Sequence, residues 1–573
     1  MQPVLNVEDV RRVEEALTKA GVSVSELMHR AGAALAHEVL RMEDIHEVAV
    51  LAGLGNNGGD GWVAADELKR RGLSVTVVSP AEIEDIHSDL ARVCAQAAHK
   101  AGVGVMVAPP RDQLDALLAR VDVVIDAMLG TGFQGSARPP FNVWIDAVNA
   151  SGARVVSADV PSGLSAQRGV ASGPCVAADI TVTMLVLKPG LLADDGRDAC
   201  GSIVVAPLAE QTERLVREAD PVAWRPDLDD YLDVMVPQSS AVDKFSRGSV
   251  LVVGGSTRYP GAPMMAALAA ARAGAGYVTL AVPAAIAGLV QAHMMEIPVI
   301  AFPADGDGCF STRAHDLIES LAKKCDVTLV GPGMRVSGST VSIISSLLTV
   351  DKPLVIDADG LNCLARLTSN RLDEFPELIR RKAPLVLTPH RRELGRLVGL
   401  SDTPPDSLTA TLEAARRIAW ADGGSELCIV AKGSATACVS PESALLPKPG
   451  PAALATAGSG DVLGGIIAAQ LATTKIGTEG LPLLSALACE IHGQAGAIAA
   501  GRFGSRGVMA TDVIDAIGLA ADAIEEQVAL LDVPTATEQG AAAWCKQSIL
   551  LTVGHGLRLI LVQSREIHGH FDR

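Results

Sequence analysis

Short apolar runs alternate with longer stretches of helical spacing over most of the chain. Val7, Val10, Val13 and Leu17 recur every three or four residues, and the spacing predicts two helices across 6–42. Strand-like runs then follow at Val48–Leu51, Val75–Val78, Val103–Val107, Val121–Ile125 and Val155–Ala158. Helical patterns such as Asp85–Ala101 lie between them, and Ile180–Leu185 and Gly201–Val205 complete the set. Uniformly apolar strands separated by helices predict a parallel sheet covered on both faces. The same alternation restarts at Ser249–Gly254. It continues through Val278–Val282, Val327–Val330, Leu354–Ile356, Leu385–Leu387 and Leu427–Val430, and closes with helices near Asp461–Ala472 and Leu481–Ala500.

Between these units, residues 208–238 are mixed and charged, punctuated by Pro207, Pro221, Pro226 and Pro237, and read as a linker or extended crossover. Beyond about 526 the pattern decays. Val533–Trp544 is turn-like, and Ile549–Val562 is an apolar patch with one arginine, read as an appendage, an extra edge strand pair, or a poorly ordered end. The expected organisation is a first α/β domain over 1–220, a linker over 221–238, a second over 239–525 and a tail over 526–573. Each domain is read as three α/β/α layers.

Composition narrows the class. A chain of 573 residues that is 49% apolar and 20% charged has material for two to four packed cores. With 48 basic against 66 acidic residues its net charge is −18, which argues against nucleic acid as a partner. Ten scattered cysteines without a CxxC pair read as buried free thiols in a reducing compartment. Glu8 and Asp9 stand where a signal peptide would be apolar. The stretch Ala266–Val290 is apolar enough for a span but is broken by Gly274, Gly276 and Pro283, and reads as helix, turn, strand, helix. The expectation is a cytoplasmic protein with no membrane partner.

The chemistry concentrates where strands end. Leu51-Ala52-Gly53-Leu54-Gly55-Asn56-Asn57-Gly58-Gly59-Asp60-Gly61 joins a strand to a helix. Its glycines admit close backbone approach, and the helix start offers free N–H groups to an anion. Alone it is equally an ordinary βα turn. Asp126, before Leu129-Gly130-Thr131-Gly132-Phe133, and Asp159, before Val160-Pro161-Ser162-Gly163-Leu164, end two further strands. Ligands of open α/β sheets sit outside these carboxyl ends. An Asp there also serves as a helix cap or turn former. Together, Asn57, Asp126 and Ser162 form a hard oxygen set for a cation, leaving Asp159 free as an acid/base group.

In the second unit, Ala457-Gly458-Ser459-Gly460-Asp461 opens an apolar helix, with N–H groups for an anion and a carboxylate that accepts a proton. Lys432-Gly433-Ser434-Ala435-Thr436 ends a strand as a diphosphate contact or a hairpin turn. Thr388-Pro389-His390-Arg391-Arg392-Glu393 places His390 near a pocket, or in a structural role, and Glu393 where it could position Mg²⁺ through water.

The three strand-end motifs of 1–220 resemble the NAD(P)H-hydrate epimerase domain. That resemblance implies a Rossmann-like fold and a substrate site of Asn56, Asn57, Gly58, Gly59 and Asp60 with Gly130, Thr131, Gly132, Phe133, Gln134, Gly135 and Ser136. It implies potassium on Asn57, Asp126 and Ser162, and Asp159 at the reacting carbon. Leu54 replaces the family's usual basic residue.

Over 239–525, Pro260-Gly261-Ala262, Gly331-Pro332-Gly333, Asp357-Ala358-Asp359-Gly360-Leu361-Asn362, Lys432–Thr436 and Gly458–Asp461 resemble the ribokinase-like NAD(P)H-hydrate dehydratases. That implies a hydrate held by Ala262, Gly333, His390 and Asp461, with Asp461 catalytic. It implies ADP, with Mg²⁺, on Lys432, Gly433, Ser434, Ala435, Thr436 and Gly460. The order is that of the bifunctional NAD(P)H-hydrate repair enzymes. The expected function is epimerisation of the hydrates NADHX and NADPHX at C6, and nucleotide-dependent dehydration of the S form, by a homo-oligomer. A ribokinase-type kinase of a vitamin or sugar alcohol, carrying a non-catalytic first domain, is the rival.

Overall fold

The structure is a computed structural model. It describes residues 1–235, 243–244, 246–375, 379–400, 404–422, 426–474, 480–531, 545–553 and 556–564. Residues 236–238 of the expected linker, Pro237 among them, and Val533–Trp544 lie outside the described residues. Met1–Glu525 forms one compact unit and Glu526–Arg573 another.

The strands of the first half are β1 (Gln2–Val4), β2 (Glu47–Ala52), β3 (Ser74–Ser79), β4 (Gly104–Val107), β5 (Val123–Ala127), β6 (Arg154–Ala158), β7 (Ile180–Met184), β8 (Ser202–Ala206) and β9 (Ala223–Arg225). Seven of them make an all-parallel sheet in the order β4-β3-β2-β5-β6-β7-β8. The order reverses between β2 and β5, so the loops after these two strands flank the crevice where such sheets bind ligands. The alternation in sequence anticipated these strands to within two residues at either end. The faces carry separate apolar cores, one under the helices Val24–Leu40 and Asn56–Arg70, the other under Phe141–Ser151.

The strands of the second half are β10 (Ser249–Val253), β11 (Tyr277–Pro283), β12 (Val299–Phe302), β13 (Val327–Val330), β14 (Leu354–Ile356), β15 (Leu385–Leu387), β16 (Leu427–Ala431), β17 (Ala437–Val439) and β18 (Ala444–Leu445). The sheet runs β1-β9-β18-β17-β16-β15-β14-β13-β10-β11-β12. From β16 to β12 it is parallel, with its own reversal between β10 and β13. The apolar stretch from Ala266 resolves as helix, strand β11 and helix. Among the described residues one helix, Leu481–Phe503, is long and apolar enough to cross a bilayer, and 67% of its most apolar window is buried within the protein.

The linker expectation needs correction. Residues 208–235 hold a helix, Thr212–Glu218, then β9 and a 3-10 turn, Leu228–Asp233. β9 pairs antiparallel with β1 and meets β18 at Leu445↔Trp224, so two strands of the first half extend the second half's sheet. Val4, Leu187, Leu192, Ala193 and Ala223 are accordingly buried in the same core as Leu354, Leu385 and Leu427. Among the charged residues that suggested a linker, the Arg217 guanidinium lies 5.5 Å over the Trp224 ring of this ribbon.

In the unit Glu526–Arg573, β19 (Cys545–Val553) and β20 (Gly556–Ser564) form a two-stranded antiparallel sheet of their own, not an edge pair of either larger sheet.

Candidate functional sites

The first site lies at the β2/β5 reversal. The helix Asn56–Arg70 begins directly after β2, and Gly55 at its cap supplies no side-chain bond, so the first N–H groups face outward. The loop is folded tightly on itself. A Cβ at Gly53 would stand 2.0 Å from the Met128 carbonyl oxygen, and one at Gly58 would stand 1.9 Å from the Gly53 carbonyl oxygen. Both obstacles are backbone. Gly58→Ala is therefore expected to destabilise the protein by about 1–3 kcal/mol, read as a lower denaturant midpoint at unchanged slope.

A cavity of about 620 Å³ opens here. Asn56, Asn57, Asp60, Gly130, Thr131, Gly132, Phe133 and Asp159 line it, as the sequence reading expected. Gly58 and Gly59 lie behind the wall. Gly58 is pressed on Gly53, and Gly59 on Met28, which lines the cavity in their place. Gln134, Gly135 and Ser136 are set off from it, with Ser136 packed on Gly173.

Asp159 sits in the left-handed region (φ 65°), a conformation that Asp tolerates better than most residues. It is not free, as the sequence reading had it. Lys188 Nζ donates to its Oδ1 at 2.5 Å, and the Met184 N–H donates to the same oxygen at 3.1 Å. Lys188 is wholly buried, and its remaining donors meet Thr183 Oγ1 and the Met184 carbonyl, both at 2.8 Å. The sequence reading missed Lys188. Its signal was available: it is the single charge in the apolar stretch Ile180–Leu192, and a lysine buried by its surroundings needs a carboxylate.

Two more carboxyls face Asp159. Burial first, then the charges of Asp159 and Glu14, push Asp60 well above the usual carboxylate range. Glu14, from the helix Val7–Lys19 and also missed, lines the cavity and is raised by burial and by Asp159. Asp159, Asp60 and Glu14 thus act on one another's charge beside the Lys188 ammonium.

Asp126 lies below the cavity floor, fully buried. It accepts from Ser162 Oγ (2.6 Å), Ser162 N (2.8 Å), Ser157 Oγ (2.9 Å) and Met128 N (3.3 Å), and burial outweighs these bonds to raise it. It makes no ion pair among the described residues. Asn57 Nδ2 is buried without a partner, and Asn57 packs where the Gly130 backbone comes close. The buried Asp126 carboxylate and the Ser162 hydroxyl are oxygen donors of the kind a cation takes, whereas the orphaned Asn57 Nδ2 is a hydrogen-bond donor and does not ligate one.

The second site lies along the carboxyl edge of the second sheet, where the segments after β10, β13, β14, β15 and β16 meet the helix Ser459–Thr474. Lys432, after β16, donates to Asp357 Oδ1 after β14 at 2.8 Å, and Thr388 Oγ1 after β15 donates to the same oxygen at 2.6 Å. Ala358 is held at φ 49°, ψ −121°, a strained conformation that turns Asp357 and Asp359 at the strand end. Gly333 and Ala262 adjoin: a Cβ on Gly333 would lie 3.2 Å from the Ala262 Cβ.

Asp461 stands in the first turn of its helix and makes no ion pair among the described residues. Burial, then the Asp357 charge, push its carboxyl up to about 7. Lys432–Thr436 is the hairpin loop between β16 and β17 and also walls a cavity of about 580 Å³. Lys432, Gly433, Ser434, Thr436, Gly460 and His390 line this cavity, while Ala435 is buried behind it. The hairpin-turn reading of that loop therefore holds, and the loop also faces a cavity. A Cβ at Gly460 would stand 3.2 Å from Lys432 Nζ, so the helix start and the lysine face one space. His492, held neutral by burial (about 4), meets Ser459 Oγ at 3.1 Å beneath it.

His390 has a structural task as well: its Nδ1 accepts from the N–H groups of Arg392 and Glu393. Glu393 Oε2 in turn accepts from the His390 N–H at 2.9 Å and is occupied as a helix cap.

The chain thus carries two α/β sites: a cavity with a helix start and raised carboxyls at the β2/β5 reversal, and a cavity beside the segments after β15 and β16, where the helix Ser459–Thr474 begins. Residues 24–190 match the family model for the YjeF-related protein N-terminus, and 250–519 match the one described as NAD(P)H-hydrate dehydratase. The chain is 36% identical over 496 residues to the bifunctional NAD(P)H-hydrate repair enzyme Nnr of Moorella thermoacetica, covering 84% of this chain and 88% of that one. It is 33% identical over 520 residues to the Nnr of Escherichia coli, covering 89% and 92%. A solved structure of an ADP/ATP-dependent NAD(P)H-hydrate dehydratase from Bacillus subtilis aligns with 53% of this chain and 99% of its own, at 22% identity and a TM-score of 0.42. The chain belongs to the bifunctional NAD(P)H-hydrate repair enzymes.

Proposed function

We propose that residues 1–220 interconvert the C6 epimers of hydrated NADH and NADPH, and that 239–525 dehydrate the S form with ADP. Family membership supports the two activities, and the carboxyls at the first cavity and at the start of the helix Ser459–Thr474 support the residue roles. C6 of the hydrate bears a hydroxyl next to the ring nitrogen, whose lone pair weakens the C–O bond. A proton from the neighbouring acid Asp60, passed through Asp159, lets the hydroxyl leave as water, and Asp159, oriented by Lys188, takes a proton back as water adds to the other face of C6. Asn56, the open helix start and Gly130–Phe133 hold the rest of the substrate. Asn57, Asp126 and Ser162 would hold potassium, which supplies positive charge against a substrate phosphate.

In the second half, Asp461 removes the proton from the C6 hydroxyl as its oxygen attacks the terminal phosphorus of ADP, releasing AMP. Loss of phosphate, driven by the nitrogen lone pair, leaves an iminium at C6, and loss of a proton from C5 then restores the dihydropyridine. Lys432 and the N–H groups of Ser459 and Gly460 draw charge from the phosphoryl group, and Asp357 and Asp359 would hold Mg²⁺, which screens the diphosphate. Because Asp461 must be ionised and its carboxyl is pushed up to about 7, dehydration falls as pH drops through that value and levels off above it. A pH profile of kcat/KM for the S hydrate reads this directly.

The deciding experiment follows absorbance of the reduced nicotinamide with mixed NADHX epimers and ADP. Full recovery that needs nucleotide is the expected result. Recovery that halts once the S form is consumed removes the epimerase role, and no recovery with ADP or ATP removes both.

A further inference from the structure

The cavity walled by Lys432–Thr436 has a residue on it that belongs to the other half of the chain. Arg197 lies in the short helix Gly196–Ala199, between β7 and β8 of the first sheet, and lines this second-half cavity. Its Nη1 donates to the Ser434 carbonyl at 2.6 Å and its Nη2 to the Gly450 carbonyl at 2.5 Å. Both carbonyls belong to segments that line the cavity, so one guanidinium ties the two segments together.

Asp194, three residues earlier, secures the attachment. Its N–H donates to Ser434 Oγ at 3.0 Å, and its Oδ1 accepts from Ser434 Oγ at 2.8 Å and from Arg391 Nη2 at 2.7 Å.

The charges make this more than a structural staple. The lining contains three permanent cations, Arg197, Lys432 and Lys448, and no aspartate or glutamate, in a chain of net charge −18. Lys432 is paired with Asp357. Arg197 makes no ion pair among the described residues; its two bonds go to neutral carbonyls, and a guanidinium has five N–H donors. A half-buried guanidinium without a carboxylate, facing a cavity where a helix also begins, is matched to an anion.

We propose that Arg197, supplied by the epimerase half, is a phosphate-contacting residue of the dehydratase's nucleotide site. The proposal rests on the reading of that cavity as the ADP site. Its consequence is that the second half alone has an incomplete nucleotide pocket, and that the two halves are joined through the ligand as well as through the chain.

The test uses the full-length protein with Arg197→Ala and Arg197→Lys. ADP binding is measured by calorimetry, and steady-state dehydration is measured with ADP and S hydrate varied separately. The expected result for Arg197→Ala is an ADP Kd and ADP KM raised about tenfold or more, the size of one lost charge-assisted contact. The kcat and the KM for hydrate stay within about twofold. Arg197→Lys recovers part of the loss, and raising salt weakens ADP binding less in Arg197→Ala than in the parent. Unchanged ADP affinity in Arg197→Ala overturns the proposal. So does a fall in kcat together with a rise in both KM values, which is what a loosened cavity wall alone would produce. If the unsubstituted protein dehydrates with ADP but its ADP affinity ignores Arg197, only the arginine's role fails. If it binds no nucleotide, the reading of the cavity fails first.

Discussion

Asp461→Asn is expected to lower nucleotide-dependent dehydration by about 10³-fold while epimerisation continues. General-base catalysis contributes about 10²–10⁴-fold, and Asp461 is the carboxylate at the start of the helix that shares its space with Lys432. Asparagine fills the same volume and keeps an oxygen, so the substitution removes proton affinity and little else. Burial already disfavours the charged form of Asp461, as does the Asp357 charge, and losing the charge should leave the protein as stable or slightly more so. The measurement is a mixed-epimer assay. The variant still converts R to S by chromatography but regenerates no NADH absorbance. Full NADH recovery by Asp461→Asn would remove the base assignment.

Lys188→Met carries the second large effect, on the other activity. Lys188 is entirely buried and gives all three of its donors to Asp159, Thr183 and Met184. Breaking a buried pair by deleting one partner costs about 3–5 kcal/mol, because the charge left behind has no compensation. A carboxylate stranded in this way keeps its proton. Epimerisation should therefore fall by about 10²-fold at neutral pH, and the surviving rate should climb as pH rises. Dehydration of S hydrate supplied pure should persist. A role confined to stability would lower the melting temperature and leave the pH dependence of epimerisation unchanged, and that outcome would sink the positioning role.

The contrast between these residues shows what a sequence discloses. Asp461 and Asp159 are legible because each stands at a strand or helix end among glycines, where chain geometry dictates where a side chain goes. The parallel strands are legible for a similar reason: Val48–Leu51 and Val155–Ala158 are apolar on both faces because helices cover both. Lys188 depends on a pairing 29 residues away, and Arg197 on one 237 residues away, and no periodicity encodes either. β1 and β9 escaped detection because three-residue strands have no period to read. Their charged neighbours, from Arg214 to Asp230, look like solvent-facing linker until Trp224 and Ala223 are placed against β1. Asp159 was taken as unencumbered for the same cause, since its counter-ion arrives with the segment after β7.

The β1–β9 ribbon also bears on how this polypeptide is made. A chain emerging from the ribosome completes β1 to β9 while the residues of β18 are still some 200 codons away. Until then Trp224 offers an open strand edge, and Val4, Leu192 and Ala223 lack the apolar cover that Leu354 and Leu385 later provide. Unpaired edges of this sort recruit whatever strand is nearest. Splitting the gene just after β9 would make that exposure permanent for one product and strip the terminal strands β1 and β9 from the other. Gene fission at this seam is thus opposed by aggregation on one side and an unfinished sheet on the other, which ties inheritance of the two activities to a single reading frame.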